Sequence, residues 1–221
     1  MKDGEVVLVR DTHYELEDRE LYRLLGYRKG KELSSEEVRG VVDELKVSSA
    51  NLIEPRGAFV IKSLDEIEGR GPFTKAEKVG LGLCTVGAAL EDRVRELFDT
   101  GHFLEGLVLD TIGSVAVDSV ADSVNYRICD QGEAVGLTAC KRSSPGYGSW
   151  ALEEQRLFFD LLPHKKLGMD LTPSFMMVPR KSISFAVNLM RDGKKAWRST
   201  RCARCGMIDC SFREEKKGGD G

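Results

Sequence analysis

The chain has 221 residues, 31% of them charged, and a formal net charge of −3. That length suits one sizeable domain or a domain with an appendage, and the near-balanced charge gives no global case for nucleic acid or an anionic membrane as partner. The longest apolar stretch, 103–124, is interrupted by Glu105, Asp110, Asp118 and Asp122, which excludes a membrane span.

The chain opens Met-Lys-Asp-Gly-Glu. With no apolar signal core there, a cytoplasmic location is expected. Residues 5–9 form a short apolar run suited to a strand. Residues 17–26 follow as a helix, with Leu21, Leu24 and Leu25 on one side and Gly26 as its stop. Ser34-Ser35-Glu36-Glu37 has the character of a helix start, a serine cap followed by acids in the first turn. Val38, Val41, Val42 and Leu45 then recur at helical spacing. Pro55 and Gly57 break that helix, and 58–64 is a strand candidate. Residues 1–75 carry no legible chemistry and are expected to be scaffold.

Residues 79–86 are apolar and glycine-spaced. A phosphate loop would need a lysine and a Ser/Thr at a fixed distance, and neither follows. The expectation is a strand crossed closely by another element. Residues 88–98 form a charged amphipathic helix, and Gly101 separates it from a long helix over 103 to about 128. Leu104, Leu107, Val108, Ile112, Val115, Val120 and Val124 mark its apolar positions. Gly113, Ser114, Ala116, Ser119, Ala121 and Ser123 keep it slim enough for another backbone to approach. Asp118 and Asp122 sit four apart on it, a pairing open to acid–base or metal work but more commonly a solvated face. A short strand over 137–141, a helix over 151–162 ended by Pro163, and strands over 175–178 and 182–190 complete the chain. There is no internal repeat. The mixed element order favours an α+β fold over a doubly wound sheet.

The densest chemistry lies in Arg142-Ser143-Ser144-Pro145-Gly146-Tyr147. Arg142 supplies a planar, permanently charged fork that suits a carboxylate. Gly146 removes the side chain where a ligand must approach the main chain, and Tyr147 offers an apolar face with a polar tip. Pro-Gly is also an ordinary surface turn.

This run resembles the R-x-x-x-G-Y motif of the S-adenosylmethionine-binding activation (reactivation) domain of cobalamin-dependent methionine synthase. The neighbouring blocks are similar and in the same order. They are the Leu/Phe-rich 157–162, the segment Leu171-Thr172-Pro173-Ser174-Phe175-Met176-Met177-Val178-Pro179, and the strand start Ser182-Ile183-Ser184. Upstream, 107–114 looks like the family's long helix, so the resemblance covers about 80–190. It implies an antiparallel sheet with flanking helices, and a core over 76–191 within the same domain as 1–75. By the resemblance, Arg142 pairs with the ligand carboxylate, and Gly146 and the backbone around Ser144 lie against the ligand. Tyr147 sits where ligand meets corrin, and an acidic residue of the long helix, here Asp118, helps hold the ligand. The chain departs from the pattern at Ser144, where the family often has Ala, and at Gly148-Ser149-Trp150, which replaces a proline-rich run.

The remaining segment, 192–221, is a basic tail carrying Cys202, Cys205 and Cys210. Two thiolates three apart grip one soft metal centre and a third closes most of the shell. Six cysteines in a cytosolic chain favour such use over disulfides. An iron–sulfur cluster is favoured over zinc, with the fourth ligand drawn from Cys84, Cys129, Cys140, His13, His102 or His164. The methionine synthase domain lacks this triad. The tail's cations have little aromatic interleaving, which makes nucleic acid an unfavoured partner.

What the resemblance implies is a free-standing S-adenosylmethionine-binding subunit for reductive methylation of a cobalamin carried by a partner. That partner is methionine synthase or another corrinoid protein, and an electron donor completes the system. No D-x-H-x-x-G corrinoid motif occurs in the chain itself. Two alternatives stand beside it: an iron–sulfur electron-transfer protein serving a corrinoid partner, and a non-catalytic assembly or regulatory subunit.

Overall fold

The structure is a computed structural model, and it describes residues 4–9, 12–27, 36–67, 69–73 and 76–191. Seven strands and five α-helices are found among them: β1 (Val7–Val9), α1 (Asp18–Leu24), α2 (Glu36–Ser48), β2 (Arg56–Ser63), β3 (Lys78–Thr85), α3 (Ala89–Asp99), α4 (Phe103–Ala134), β4 (Thr138–Ala139), α5 (Arg156–Leu161), β5 (Asp170–Leu171), β6 (Met177–Val178) and β7 (Ser182–Met190). β1, β2, β3, β7 and β4 form one sheet in that order, with every pair antiparallel. β5 and β6 make a separate two-stranded hairpin. The expected α+β fold, an antiparallel sheet flanked by helices, is the fold observed.

Strand periodicity sorts the sheet's side chains onto two faces. Phe59, Cys84, Phe185 and Val187 face α4 in one buried cluster with Val120, Val124 and Ile128. Ala58, Val60, Leu81, Leu83 and Ala186 face the other way, against Trp150, Leu157 and Phe158. α4 is the central helix, packed on the sheet and on α1, α2 and α3. It is therefore buried on nearly every side between Val108 and Cys129. The glycine-spaced strand β3 is crossed closely, as expected, and Gly57 of β2, read from the sequence as a helix break, adds a second close approach. A Cβ on Gly57 would stand 2.6 Å from Val124 Cγ2, and one on Gly80 would stand 2.3 Å from Ile128 Cγ2. Among the described residues no helix is long and apolar enough to cross a membrane.

Four details differ from the sequence-based expectation. First, α4 continues past Ile128 to Ala134. Gly132 packs on Leu189, and the stop is set by Gly136, whose φ is 77°. The Leu137 N–H donates to Gly132 O and the Gly136 N–H to Glu133 O, which satisfies the last carbonyls in a Schellman arrangement. Second, 151–162 is not one helix: Leu152–Gln155 winds as a 3-10 turn before α5, a tightening common at helix starts. Third, Phe175 is not in a strand, because its φ of 61° places it in a left-handed turn. Thr172 holds that turn, its backbone O accepting from Phe175 N–H and its Oγ1 from Met176 N–H. Fourth, β5 had no sequence signal, since two residues cannot show a period.

Candidate functional site

β4 lies on the outer edge of β7, with Ala139 opposite Leu189. The chain then stays along that edge. The Cys140 N–H donates to Asn188 O, and Ser143 exchanges both backbone hydrogen bonds with Ala186. From 139 to 143 is four steps, while 189 to 186 is three. One residue is therefore extra, a β-bulge at 141–142. Bulges re-aim a side chain and end pairing, and both follow here. Arg142 turns across β7 onto the α4 side, with its guanidinium carbon 5.2 Å from the Phe185 ring centroid. Beyond Ser143 the chain leaves the sheet. Among the described residues no strand pairs with β7 on that side at 182–184.

The Arg142 guanidinium lies 3.0 Å from Asp122 and 3.2 Å from Asp118. The Arg142 and Asp122 side chains are 10% and 11% exposed, whereas Asp118 is 54% exposed. The carboxylate pair is thus not the solvated face expected of it. Asp118 faces solvent, but Asp122 is buried, because the bulge delivers a guanidinium to that face. No sequence signal separated the two, since both lie among small and apolar positions and an acid is rarely buried unless paired.

The loop itself is built of two successive turns. Tyr147 N–H donates to Ser144 O at 3.3 Å, and Trp150 N–H donates to Tyr147 O at 3.2 Å. Gly146 N–H donates to Trp150 O at 2.8 Å and closes the loop. Gly146 has φ 85°, a conformation glycine takes without a Cβ penalty. Trp150 is buried against Phe73 and Phe158 and anchors the loop. Tyr147, 69% exposed, projects from it. Arg142 and Asp118 are therefore brought together at one end of β7's open edge, and Ser144, Gly146 and Tyr147 follow in the turns next to it.

A cleft of about 500 Å³ lies at the other end, where β7 begins. Val94 and Phe98 of α3 and Met176 and Met177 of the β5–β6 hairpin line it. Lys181 closes it from below: its ammonium bonds Ser114 Oγ and Asp110 Oδ1, each at 2.8 Å, and its backbone N–H donates to Glu91. Gln155 forms part of the lining. Its amide oxygen accepts from Ser184 Oγ at 3.0 Å, and its Nε2 donates to Phe175 O at 2.9 Å. None of the loop residues lines this cleft. Lys181, Gln155 and the methionines had no sequence signal as a group, because they come from three separate places in the chain.

Cys202, Cys205 and Cys210 lie outside the described residues. Among the described residues no group of three or more His, Cys, Asp or Glu side chains is placed to hold a metal. Of the fourth ligands considered, Cys84 and Cys129 are core residues. Burial pushes the Cys84 thiol up to about 12. Cys140 is half-buried, and burial raises its thiol too. His102 Nδ1 lies 3.0 Å from Thr100 Oγ1, His164 Nδ1 lies 2.9 Å from Phe159 O, and His13 is exposed.

No protein-family profile and no curated protein matches this sequence. Among solved structures the fold is similar to one described as the crystal structure of the MetH reactivation domain bound to AdoHcy, with a TM-score of 0.60 and 14% identity. The match covers 88% of this chain and 81% of that one. At that identity the likeness is one of fold.

Proposed function

We propose that this chain binds S-adenosylmethionine at the Arg142 loop. On this reading it acts in activation, the reductive methylation of the cobalamin of methionine synthase or a related corrinoid methyltransferase. The observation that carries the reading is the buried Arg142 guanidinium set beside the exposed Asp118 carboxylate, 3.2 Å away, at the open edge of β7. The fold neighbour's S-adenosylhomocysteine supports the same ligand class.

The residues present fit an amino-acid head group. A guanidinium fork takes a carboxylate in two parallel hydrogen bonds, and Asp118 would take the ammonium. Asp122 meets the same Arg142 Nη2 as Asp118 and, being buried, holds the cation in place before ligand arrives. Gly146, exposed and without a side chain, leaves the backbone open to the rest of the molecule. Bound there, S-adenosylmethionine would supply a methyl group activated by its sulfonium. The loop carries no general acid or base, and its contribution is position. Cobalamin would arrive on a corrinoid-carrying partner, with reducing power from a separate electron donor. Tyr147 would lie on the rim that such a partner meets.

The test is calorimetric titration of S-adenosylmethionine and S-adenosylhomocysteine into anaerobically purified protein, alongside Arg142→Ala. Saturable binding that collapses in the variant is expected. Absence of binding to the folded wild-type chain would reduce the loop to a surface turn.

A further inference from the structure

We infer that the cleft beside Lys181 is a second small-molecule site, for a ligand bearing one anionic group on an apolar body. It is separate from the Arg142 loop. Asp110 lines it, eight residues before Asp118 (118 − 110) and so about 12 Å away along α4. Its volume of about 500 Å³ is that of a pocket for a compact metabolite.

The apolar half of the specificity comes from side chains left open on its walls. Phe98 and Met176 line the cleft and are 40% and 47% exposed. A flat or branched apolar group inserted between them removes both from water. Methionines adapt their shape to what they cover. The Met176 wall is held in place rather than free. Phe175, before it, keeps its left-handed backbone because Gln155 grips its carbonyl and the Arg156 guanidinium stacks on its ring at 4.8 Å. A bulky residue in that region is uncommon and persists only where its surroundings fix it.

The anionic half follows from the charges that remain. Lys181 is matched by Asp110, the Glu91 carboxylate accepts the Lys181 backbone N–H, and Arg95 pairs with Asp92 at 3.2 Å. Arg180, exposed on the rim, makes no ion pair among the described residues. With Asp92 counted, three cations meet three carboxylates, and Arg180 is the cation left to turn to a ligand, in the form best suited to a carboxylate or phosphate.

The probe is 8-anilinonaphthalene-1-sulfonate, an anion on an aromatic body, compared with uncharged N-phenyl-1-naphthylamine. Fluorescence titration of the full chain should show one saturable site for the sulfonate. Arg180→Gln should weaken it about tenfold, the size of one charge-assisted contact, and leave the uncharged probe unchanged. Arg142→Ala and saturating S-adenosylhomocysteine should have no effect on either probe. Phenylacetate and phenyl phosphate as competitors then identify which anion the site prefers. The inference is overturned if the folded protein shows no saturable site or if Arg180→Gln changes nothing. It also fails if Arg142→Ala or S-adenosylhomocysteine removes the signal, or if neither competitor displaces the probe. Circular dichroism of each variant separates loss of the site from loss of the fold.

Discussion

Arg142 and Asp122 meet at 3.0 Å with nine-tenths of each side chain buried, one delivered by a sheet-edge bulge and the other by the central helix. Their burial makes the pair sensitive to loss of either partner, since an uncompensated buried charge costs far more than an intact pair contributes. Asp122→Asn is expected to destabilise the fold by about 3 kcal/mol, the low end for breaking a buried pair, because Asp118 remains 3.2 Å from the guanidinium. Asp118→Asn, at a half-exposed carboxylate, should cost less than about 1 kcal/mol. Urea unfolding midpoints measure both, and equal losses would refute the asymmetry.

The same pair predicts a ligand effect separable from stability. If Asp122 orients Arg142 for a carboxylate, Asp122→Asn weakens S-adenosylhomocysteine and leaves 5′-methylthioadenosine, which lacks the amino-acid head, unaffected. Calorimetry with the two ligands decides it. A parallel loss of both would mean that the variant disturbs the loop as a whole.

Gly146 is the loop position least tolerant of a side chain. At φ 85°, with Leu152 Cδ1 3.2 Å from where a Cβ would stand, Gly146→Ala should cost about 1–2 kcal/mol from the left-handed backbone alone. The alternative is a shift of the Ser144–Tyr147 turn. Gly148→Ala is the control for ordinary strain, with φ 62° and open space around it. A ligand affinity lowered by Gly146→Ala and not by Gly148→Ala would locate the close approach.

The crossing of α4 over the sheet can be tested at Gly80. Its Cβ would lie 2.3 Å from Ile128 Cγ2, so Gly80→Ala forces the helix away and should cost roughly 1–3 kcal/mol. In Gly80→Ala/Ile128→Ala the added methyl enters space the isoleucine has vacated. The double variant should then lose less than the sum of the two single losses. Strict additivity in thermal unfolding would argue against direct contact.

Cys84 gives a pH dependence whose sign can be stated. Burial raises its thiol from 9.0 to about 12 in the folded chain. Below pH 9 both states hold the proton and nothing changes. Between about 9 and 12 the unfolded thiol ionises while the folded one does not, so stability falls as pH rises, by up to about 1.4 kcal/mol per unit. Cys84→Ala removes that one-proton share of the decline. Wild-type and variant stability curves that run parallel above pH 9 would contradict it.

The sequence by itself determined the sheet strands β2, β3 and β7, the length class of α4 and the α+β fold. In each, a run of eight or more residues repeats one local preference, and repetition survives whatever packs against it. The glycine spacing of 79–86 announced a close crossing, which Gly80 makes against Ile128. The order of motif blocks placed the Arg142 loop before any geometry was known. Tertiary structure alone decided which carboxylate of α4 is buried. A helix enclosed on nearly every side has no polar face for the sequence to reveal, and Asp122 differs from Asp118 only in what lies opposite. It also decided the bulge that aims Arg142, which exists in the register between two strands and not in either one. The Lys181 cleft, assembled from residues of α3, α4, the turn before α5, the β5–β6 hairpin and the start of β7, is a matter of distance in space, which spacing along a chain does not encode.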